Sequence, residues 1–423
     1  MKKQLLFILL AIVPMMAGAY DAEIEGIYYN LIPKGNIAEV TYRDNNLNSY
    51  SGTIVIPKSV TYNDNVYEVI TIGESAFAYS SGLNSIIIPN SVISIGQGAF
   101  AYCSSLKTIS IPNSVISIEG YAFNACSGLT SITIPNSVTN IGTCTFSGCG
   151  ALTSVTIPNS VTCIGEYAFY NSGITSITIP ESVTSIGDYI FVGCSNLKSA
   201  IIGSGLMTIS LGAFQGCSNL ISVSIDNGVT SIGERAFAGC NGLTSVSIPN
   251  SVTNIDNYSF YNCSGLTSIT IPQEVTSIGK YAFSGCSHLS TVTFPENMSL
   301  IGELAFAYCR ELTDVYCYSY MISYTWSNAF DGSYIEYATL HVPKESFESY
   351  STTEPWSKFG TIVALSSEVK GDLNNDSKVD IADAVSILNL MAEGKEDSAA
   401  DLNGDGKVDI ADFVSVLDLM AQQ

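Results

Sequence analysis

Residues 103–125, CSSLKTISIPNSVISIEGYAFNA, decide how this chain folds, because near-copies of the stretch follow one another from about residue 80 to about residue 310. Phe77, Phe100, Phe123, Phe146 and Phe169 stand 23 residues apart, the step to Phe191 is 22, and Phe214, Phe237, Phe260, Phe283 and Phe306 resume 23. A period of roughly 20 to 50 residues marks a solenoid, whose units cannot bury their apolar faces alone and do so by stacking. Within the unit, Leu106, Ile109 and Ile111 form an L-x-x-I-x-I strand with its apolar side chains on one side, halted by Pro112 and Asn113. Val115 and Ile118 make a second short apolar segment before Glu119-Gly120, and Ala122-Phe123 reads as one helical or 3₁₀ turn. At a strand spacing of about 4.8 Å, equivalent residues become ladders, and the phenylalanines form one aromatic column along a rod of roughly 50 Å.

The pattern Leu-x-x-Ile-x-Ile-Pro-Asn-Ser-Val, then Ile-Gly and a phenylalanine, as at Leu129 to Val138, Ile141-Gly142 and Phe146, resembles the BspA-like leucine-rich repeat family over about residues 50 to 340. The resemblance implies an extracellular solenoid that works by adhesion or recognition and has no catalytic activity of its own. Departures are local: residues 200–209 lack the proline, and Asp226-Asn227 replaces another.

The first 19 residues read as a secretory signal: a basic Met1-Lys2-Lys3 head, an apolar Leu5 to Met16 core and an Ala17-Gly18-Ala19 cleavage site. No later apolar run reaches the length of a membrane span. The net charge is −22, from 38 acidic and 16 basic residues, and the scattered Lys and Arg argue against nucleic-acid binding. Twelve cysteines in an exported chain suggest disulfides, but register opposes them. Cys103, Cys126, Cys149, Cys194, Cys217, Cys240, Cys263, Cys286 and Cys309 share one repeat position, where side chains point in parallel and a bridge would need a dihedral near about 90°. Buried apolar thiols are favoured. No C-x-x-C pair occurs, and His288 and His341 are far apart in the chain, so neither supports a metal site in the solenoid.

The expected organisation is therefore a signal peptide (1–19), an N-terminal β cap (20–75), the repeat solenoid (76–316, about eleven coils), a C-terminal cap (317–365), a linker (366–370) and a distinct tail (371–423). Phe347, Tyr350, Trp356 and Phe359 are candidates to close the far end of the solenoid. The fold class is a mainly β solenoid of leucine-rich repeats with capping segments, plus a small all-α, paired calcium loop-helix domain.

In the tail, composition changes abruptly: twelve of the 38 acidic residues lie after Gly371, in two copies 29 positions apart. Asp372, Asn374, Asp376, Asp380 and Asp383, and likewise Asp401, Asn403, Asp405, Asp409 and Asp412, occupy positions 1, 3, 5, 9 and 12 of a twelve-residue loop. The backbone carbonyl of position 7, Lys378 or Lys407, completes an oxygen set suited to Ca²⁺, so two ions are expected. Gly406 serves the sharp turn at position 6, where the first loop has Ser377. Each loop leads into a helix, with Ile381, Val385, Leu388 and Ala392 on one face and Ile410, Val414, Leu417 and Ala421 on the other's equivalent. This duplicated loop-helix resembles a type I dockerin, which implies a cohesin-type partner. Where dockerins often carry hydroxyl pairs, the chain has Ile381-Ala382 and Ile410-Ala411; where many carry a basic pair, it has Leu388-Asn389 and Leu417-Asp418. These eight positions are the expected partner face, more apolar than usual.

Glu166 and Asp188 share a register in adjacent coils about one strand spacing apart, close to the separation of a retaining glycosidase pair. Glu74, Glu234 and Glu303 share it too, and the favoured reading is a structural acid opening each turn, where free N–H groups attract negative charge. Catalysis is not expected. Two stripes could instead bind a protein or glycan of host or bacterial surfaces: strand hydroxyls (Ser131 and Thr133, Ser154 and Thr156, Ser176 and Thr178, Ser245 and Ser247, Ser268 and Thr270) and the tyrosines Tyr121, Tyr167, Tyr189, Tyr258 and Tyr281. A face shaped only by solubility and β propensity explains them equally well. Three functions follow: a secreted recognition protein displayed through its tail, an accessory substrate-binding subunit of an extracellular polysaccharide-degrading complex, or a spacer with a calcium-stabilised cap.

Overall fold

Strands form where the repeat alternates and stop at its prolines. The computed structural model describes residues 20–43, 47–322, 324–365, 373, 379–395, 400–403 and 407–421, so the expected signal segment and linker lie outside the described residues. Each coil contributes a short strand to one parallel ladder and a two-residue strand to a second. Ser131–Thr133 lies between Thr108–Ser110 and Ser154–Thr156 in strict 23-residue register, Ile132 facing Ile109 and Val155. Their hydroxyl neighbours face outward and the aliphatic residues inward. Asn140–Ile141, Cys163–Ile164 and Ser185–Ile186 form the second ladder in the same way. After the strand the chain turns at proline: Val138 N–H donates to the Pro135 carbonyl, and the serine before it, Ser137, donates to the Val115 carbonyl of the preceding coil. Residues 244–249, which include Ser245 and Ser247, form no strand, although both serines are exposed.

The interior is the expected column. From Phe77 to Phe330 successive rings stack with centroids 5.1 to 5.7 Å apart. Tyr50 seals the first ring, its centroid 4.5 Å from that of Phe77. At the far end Trp356 and Phe359 meet Phe330 at 5.6 and 5.5 Å, and Tyr350 packs on Trp356. Phe347, expected to join them, instead stands exposed at the start of the helix Phe347–Thr352, whose buried residue is Tyr350. The parallel register continues into both expected caps. Ser51–Val55 pairs parallel with Gly82–Ile87, and Thr339–Pro343 and Thr361–Leu365 extend the other end.

The nine ladder cysteines are free and buried, and each does more than fill space. Every Sγ donates to the carbonyl of the phenylalanine one coil back, from Cys103 to Phe77 through Cys309 to Phe283, at 3.0 to 3.4 Å. Burial pushes the thiols up, Cys126, Cys263 and Cys309 to about 12 and Cys194 to about 11.

The turn around the phenylalanine, expected as one helical or 3₁₀ turn, keeps three-residue hydrogen bonds only at alternate residues. Alternate N–H groups leave the coil: Tyr121, Phe123 and Ala125 donate to Thr143, Thr145 and Ser147 of the next coil, while Ala122, Asn124 and Cys126 donate three residues back. This alternation requires two left-handed residues per coil, here Tyr121 (φ 61) and Ala125 (φ 55). In the turns that carry Glu166 and Asp188 the Tyr167 and Phe169 N–H groups donate to the Asp188 and Ile190 carbonyls of the next coil.

Candidate functional site

Each described loop end in the tail closes on a buried carboxylate. Asp383 accepts hydrogen bonds from the N–H groups of Leu373 (2.7 Å) and Asp380 (2.8 Å). Asp412 accepts from Leu402 (2.8 Å), Asn403 (3.1 Å) and Asp409 (2.9 Å). Asp380 and Asp409 in turn accept from Ala382 and Ala411, 2.8 Å each, so positions 9 and 12 of the loops also cap the helices Ile381–Glu393 and Ile410–Ala421. At the first helix this is a reciprocal capping box. Sequence reading assigned these acids only to metal, although D-x-x-D before an apolar run was the signal for a cap. Burial pushes the Asp412 carboxyl up, but the Asp409, Asn403 and Leu402 N–H groups outweigh it and hold it below the usual carboxylate range.

Both position-12 carboxylates, Asp383 and Asp412, are fully buried. Asp401 and Asp409 are half-buried, and Asn403 and Lys407 exposed. Asp372, Asn374, Asp376, Lys378 and Asp405 lie outside the described residues. A charged carboxylate held out of water is costly unless a cation or several hydrogen bonds compensate it, and among the described residues backbone N–H groups compensate Asp383 and Asp412.

The two helices have more apolar surface than one core can use. They pack through Ala384, Ile387 and Val416, with Leu390, Met391, Phe413, Leu419 and Met420, on Val379, Ala400 and Leu402. The face singled out from spacing is the other one: Ile381 is 73% exposed, Val385 48%, Leu388 43%, Ile410 61%, Val414 49% and Leu417 41%. Ala382, Asn389, Ala411 and Asp418 are exposed beside them. All eight expected partner positions are therefore at the surface, and the same apolar stripe occurs twice.

On the solenoid, the hydroxyls of the strand stripe are exposed in both ladder halves. The tyrosine stripe is a continuous edge of left-handed residues: Tyr121, Cys144, Tyr167, Tyr189, Gly212, Arg235, Tyr258 and Tyr281. Tyr167 stacks on Tyr189 at 5.2 Å and Tyr258 on Tyr281 at 5.0 Å. The Arg235 guanidinium, paired with Glu234, covers the other face of Tyr258 at 4.6 Å. Each stacked pair thus covers one face of each ring, while Tyr121, 41% exposed, stands next to Cys144 on the same edge. A second pair, Tyr79 on Tyr102 at 4.5 Å, sits on the other left-handed position of the coil and was missed because its ring neighbours vary along the chain.

A stack of parallel coils with a phenylalanine column, sealed at both ends by aromatic residues and followed by a duplicated acidic loop-helix, is a leucine-rich repeat architecture joined to a small helical module. The chain belongs to the BspA type leucine rich repeat family, whose model matches residues 70–198, 116–244 and 230–352 in overlapping copies. Residues 370–418 match the dockerin type I domain. Both are non-catalytic families, and type I dockerins bind calcium. Among solved structures, a leucine rich cell surface protein of Faecalibacterium prausnitzii A2-165 is 30% identical over 70% of this chain and 94% of its own, with a TM-score of 0.42. A leucine-rich repeat protein of Bacteroides ovatus is 26% identical over 77% of this chain and 100% of its own, TM-score 0.39. The pneumococcal vaccine antigen PcpA is 22% identical over 82% and 99%, TM-score 0.48. No curated protein matches. Among the described residues no helix is long and apolar enough to cross a membrane.

Proposed function

We propose that this is a secreted, non-catalytic recognition protein whose solenoid binds protein or glycan and whose tail, ordered by two Ca²⁺ ions, docks onto a cohesin-type partner. The observation that carries it is the duplicated exposed stripe, Ile381, Val385 and Leu388 with Ile410, Val414 and Leu417, on a module of the dockerin family. Exposed aliphatic side chains in so small a module cost solubility unless something covers them. Asp372, Asn374, Asp376, Asp380 and Asp383, and their counterparts from Asp401 to Asp412, would hold the ions, with the Lys378 and Lys407 carbonyls. The cations would offset the mutual repulsion of these carboxylates. An exported chain of this kind also suits an accessory subunit of a polysaccharide-degrading complex, with the solenoid on the substrate and the tail in the complex.

Calcium titration of the full chain by calorimetry should give two sites, and Asp383→Ala with Asp412→Ala should remove them. Leu388→Asp with Leu417→Asp should abolish capture by immobilised cohesin domains while leaving calcium uptake and melting unchanged. Capture that is indifferent to chelator, or to both leucines, sinks the docking role and leaves the spacer with a calcium-stabilised cap.

A further inference from the structure

The tyrosine edge of the solenoid carries one three-ring cluster twice. Tyr167 stacks on Tyr189 at 5.2 Å with Tyr170 edge-on at 5.8 Å, and Tyr258 stacks on Tyr281 at 5.0 Å with Tyr261 edge-on at 5.7 Å. The second cluster holds cations of its own. Arg235, one coil before Tyr258, lays its guanidinium on that ring at 4.6 Å and pairs with Glu234. Lys280 stands 5.3 Å over Tyr281 and pairs with Glu303 at 2.6 Å. In the first cluster both cations are missing. Cys144 takes the place of Arg235: its N–H donates to the Glu166 carbonyl as that of Arg235 donates to the Asn257 carbonyl, and both residues are left-handed. Asp188 precedes Tyr189 where Lys280 precedes Tyr281.

Three rings and two carboxylates are thus left uncompensated. Among the described residues neither Glu166 nor Asp188 has an ion-pair partner, and no cation lies over Tyr167 or Tyr189. Burial, and after it Tyr189, Glu166, Cys144 and Asp188, push the Tyr167 hydroxyl up, so both carboxylates act at this ring. From Thr108 to Leu197 the chain has no lysine, arginine or histidine, yet it has four acids, Glu119, Glu166, Glu181 and Asp188. Tyr121, 41% exposed, stands on the coil before Cys144, so only a short thiol separates its position from that of Tyr167.

We propose that this cluster binds an arginine side chain of a protein partner, which brings to Tyr167 from outside the guanidinium that Arg235 brings to Tyr258 from within. A guanidinium suits the seat better than an ammonium, because it lies flat on a ring while its fork of N–H donors reaches a carboxylate such as Glu166. Four coils without a cation of their own steer a basic partner to this stretch. The assignment rests on the recognition role proposed above and names the partner's chemistry and its seat.

The test is calorimetry on the full chain at physiological salt with hexaarginine and, at equal charge, hexalysine. Hexaarginine should bind, roughly threefold or more tighter than hexalysine. Glu166→Gln with Asp188→Asn should weaken it roughly tenfold, the scale of one lost hydrogen bond to a charged group. Glu345→Gln with Glu348→Gln, an equal charge change on exposed residues of the C-terminal cap, should leave it unchanged. Cys144→Arg, which supplies the missing guanidinium within the chain, should weaken it as much as the first pair. That pair leaves the rings and the backbone in place, so it stays informative if Cys144→Arg fails to fold. No binding of hexaarginine, equal binding of hexalysine, equal weakening by the distant pair, or indifference to Glu166 and Asp188 overturns the seat. The cohesin capture uses none of these coils and judges the docking role separately.

Discussion

At the scale of single residues, the cysteine ladder shows a side chain with two duties. A thiol is small and apolar enough for the core, and its S–H adds a second hydrogen bond to a phenylalanine carbonyl that already accepts a backbone N–H from its own coil. Ser333, at the equivalent place in the last coil, keeps the bond, donating to the Phe306 carbonyl at 2.5 Å. Ten of the twelve thiols are buried, and only Cys144 and Cys163 are partly open. Because the thiolate is the nucleophile, and burial pushes Cys126 and Cys263 to about 12, these core thiols stay protonated at pH 8. Brief native alkylation followed by mass spectrometry should therefore modify Cys144 and Cys163 alone, and all twelve after unfolding. Labelling of Cys126 or Cys240 in the native protein would contradict the ladder.

At the scale of the coil, the left-handed turn residues matter most. Alternate donation to the next coil and to the coil's own carbonyls places one residue before the phenylalanine and one after it at positive φ. Glycine meets that demand at Gly239 (φ 73), where an added Cβ would meet nothing closer than 3.7 Å, so backbone strain alone resists a side chain. Gly239→Ala should cost about 1 kcal/mol, and Ala125→Gly, at φ 55, should recover up to about the same. Urea unfolding of the two variants measures both; equal stability of all three proteins would mean the positive φ carries no strain. Glycine has another use at Gly165, where a Cβ would stand 2.5 Å from the backbone of Thr143, so close stacking of coils excludes any larger residue.

For the whole molecule, a stack of coils is held mainly by neighbours, so its ends decide how it opens. Trp356 is fully buried against Phe330 and Tyr350, and its loss would uncover the last ring of the column. Trp356→Ala should cost about 3 to 5 kcal/mol. Hydrogen exchange should quicken first in Thr339–Pro343 and Thr361–Leu365 and leave Ser131–Thr133 protected. Uniform loss of protection from end to end would show a single cooperative unit instead.

By itself the sequence determined the coil, its 23-residue register, the phenylalanine column and the duplicated acidic loops, since a strict repeat makes one unit's chemistry recur in space. Only the tertiary structure decided what each repeated residue does for its neighbour: the thiol and serine donations reach across coils, as from Ser114 to Val92 and from Cys126 to Phe100, and no local pattern displays them. The same holds for the helix faces of the tail. Spacing shows that Ile381, Val385 and Leu388 share a side, yet whether that side is core or surface depends on where the second helix packs, and it packs on Ile387. Phe347 likewise reads as one more capping ring, and only the direction of its short helix turns it to water.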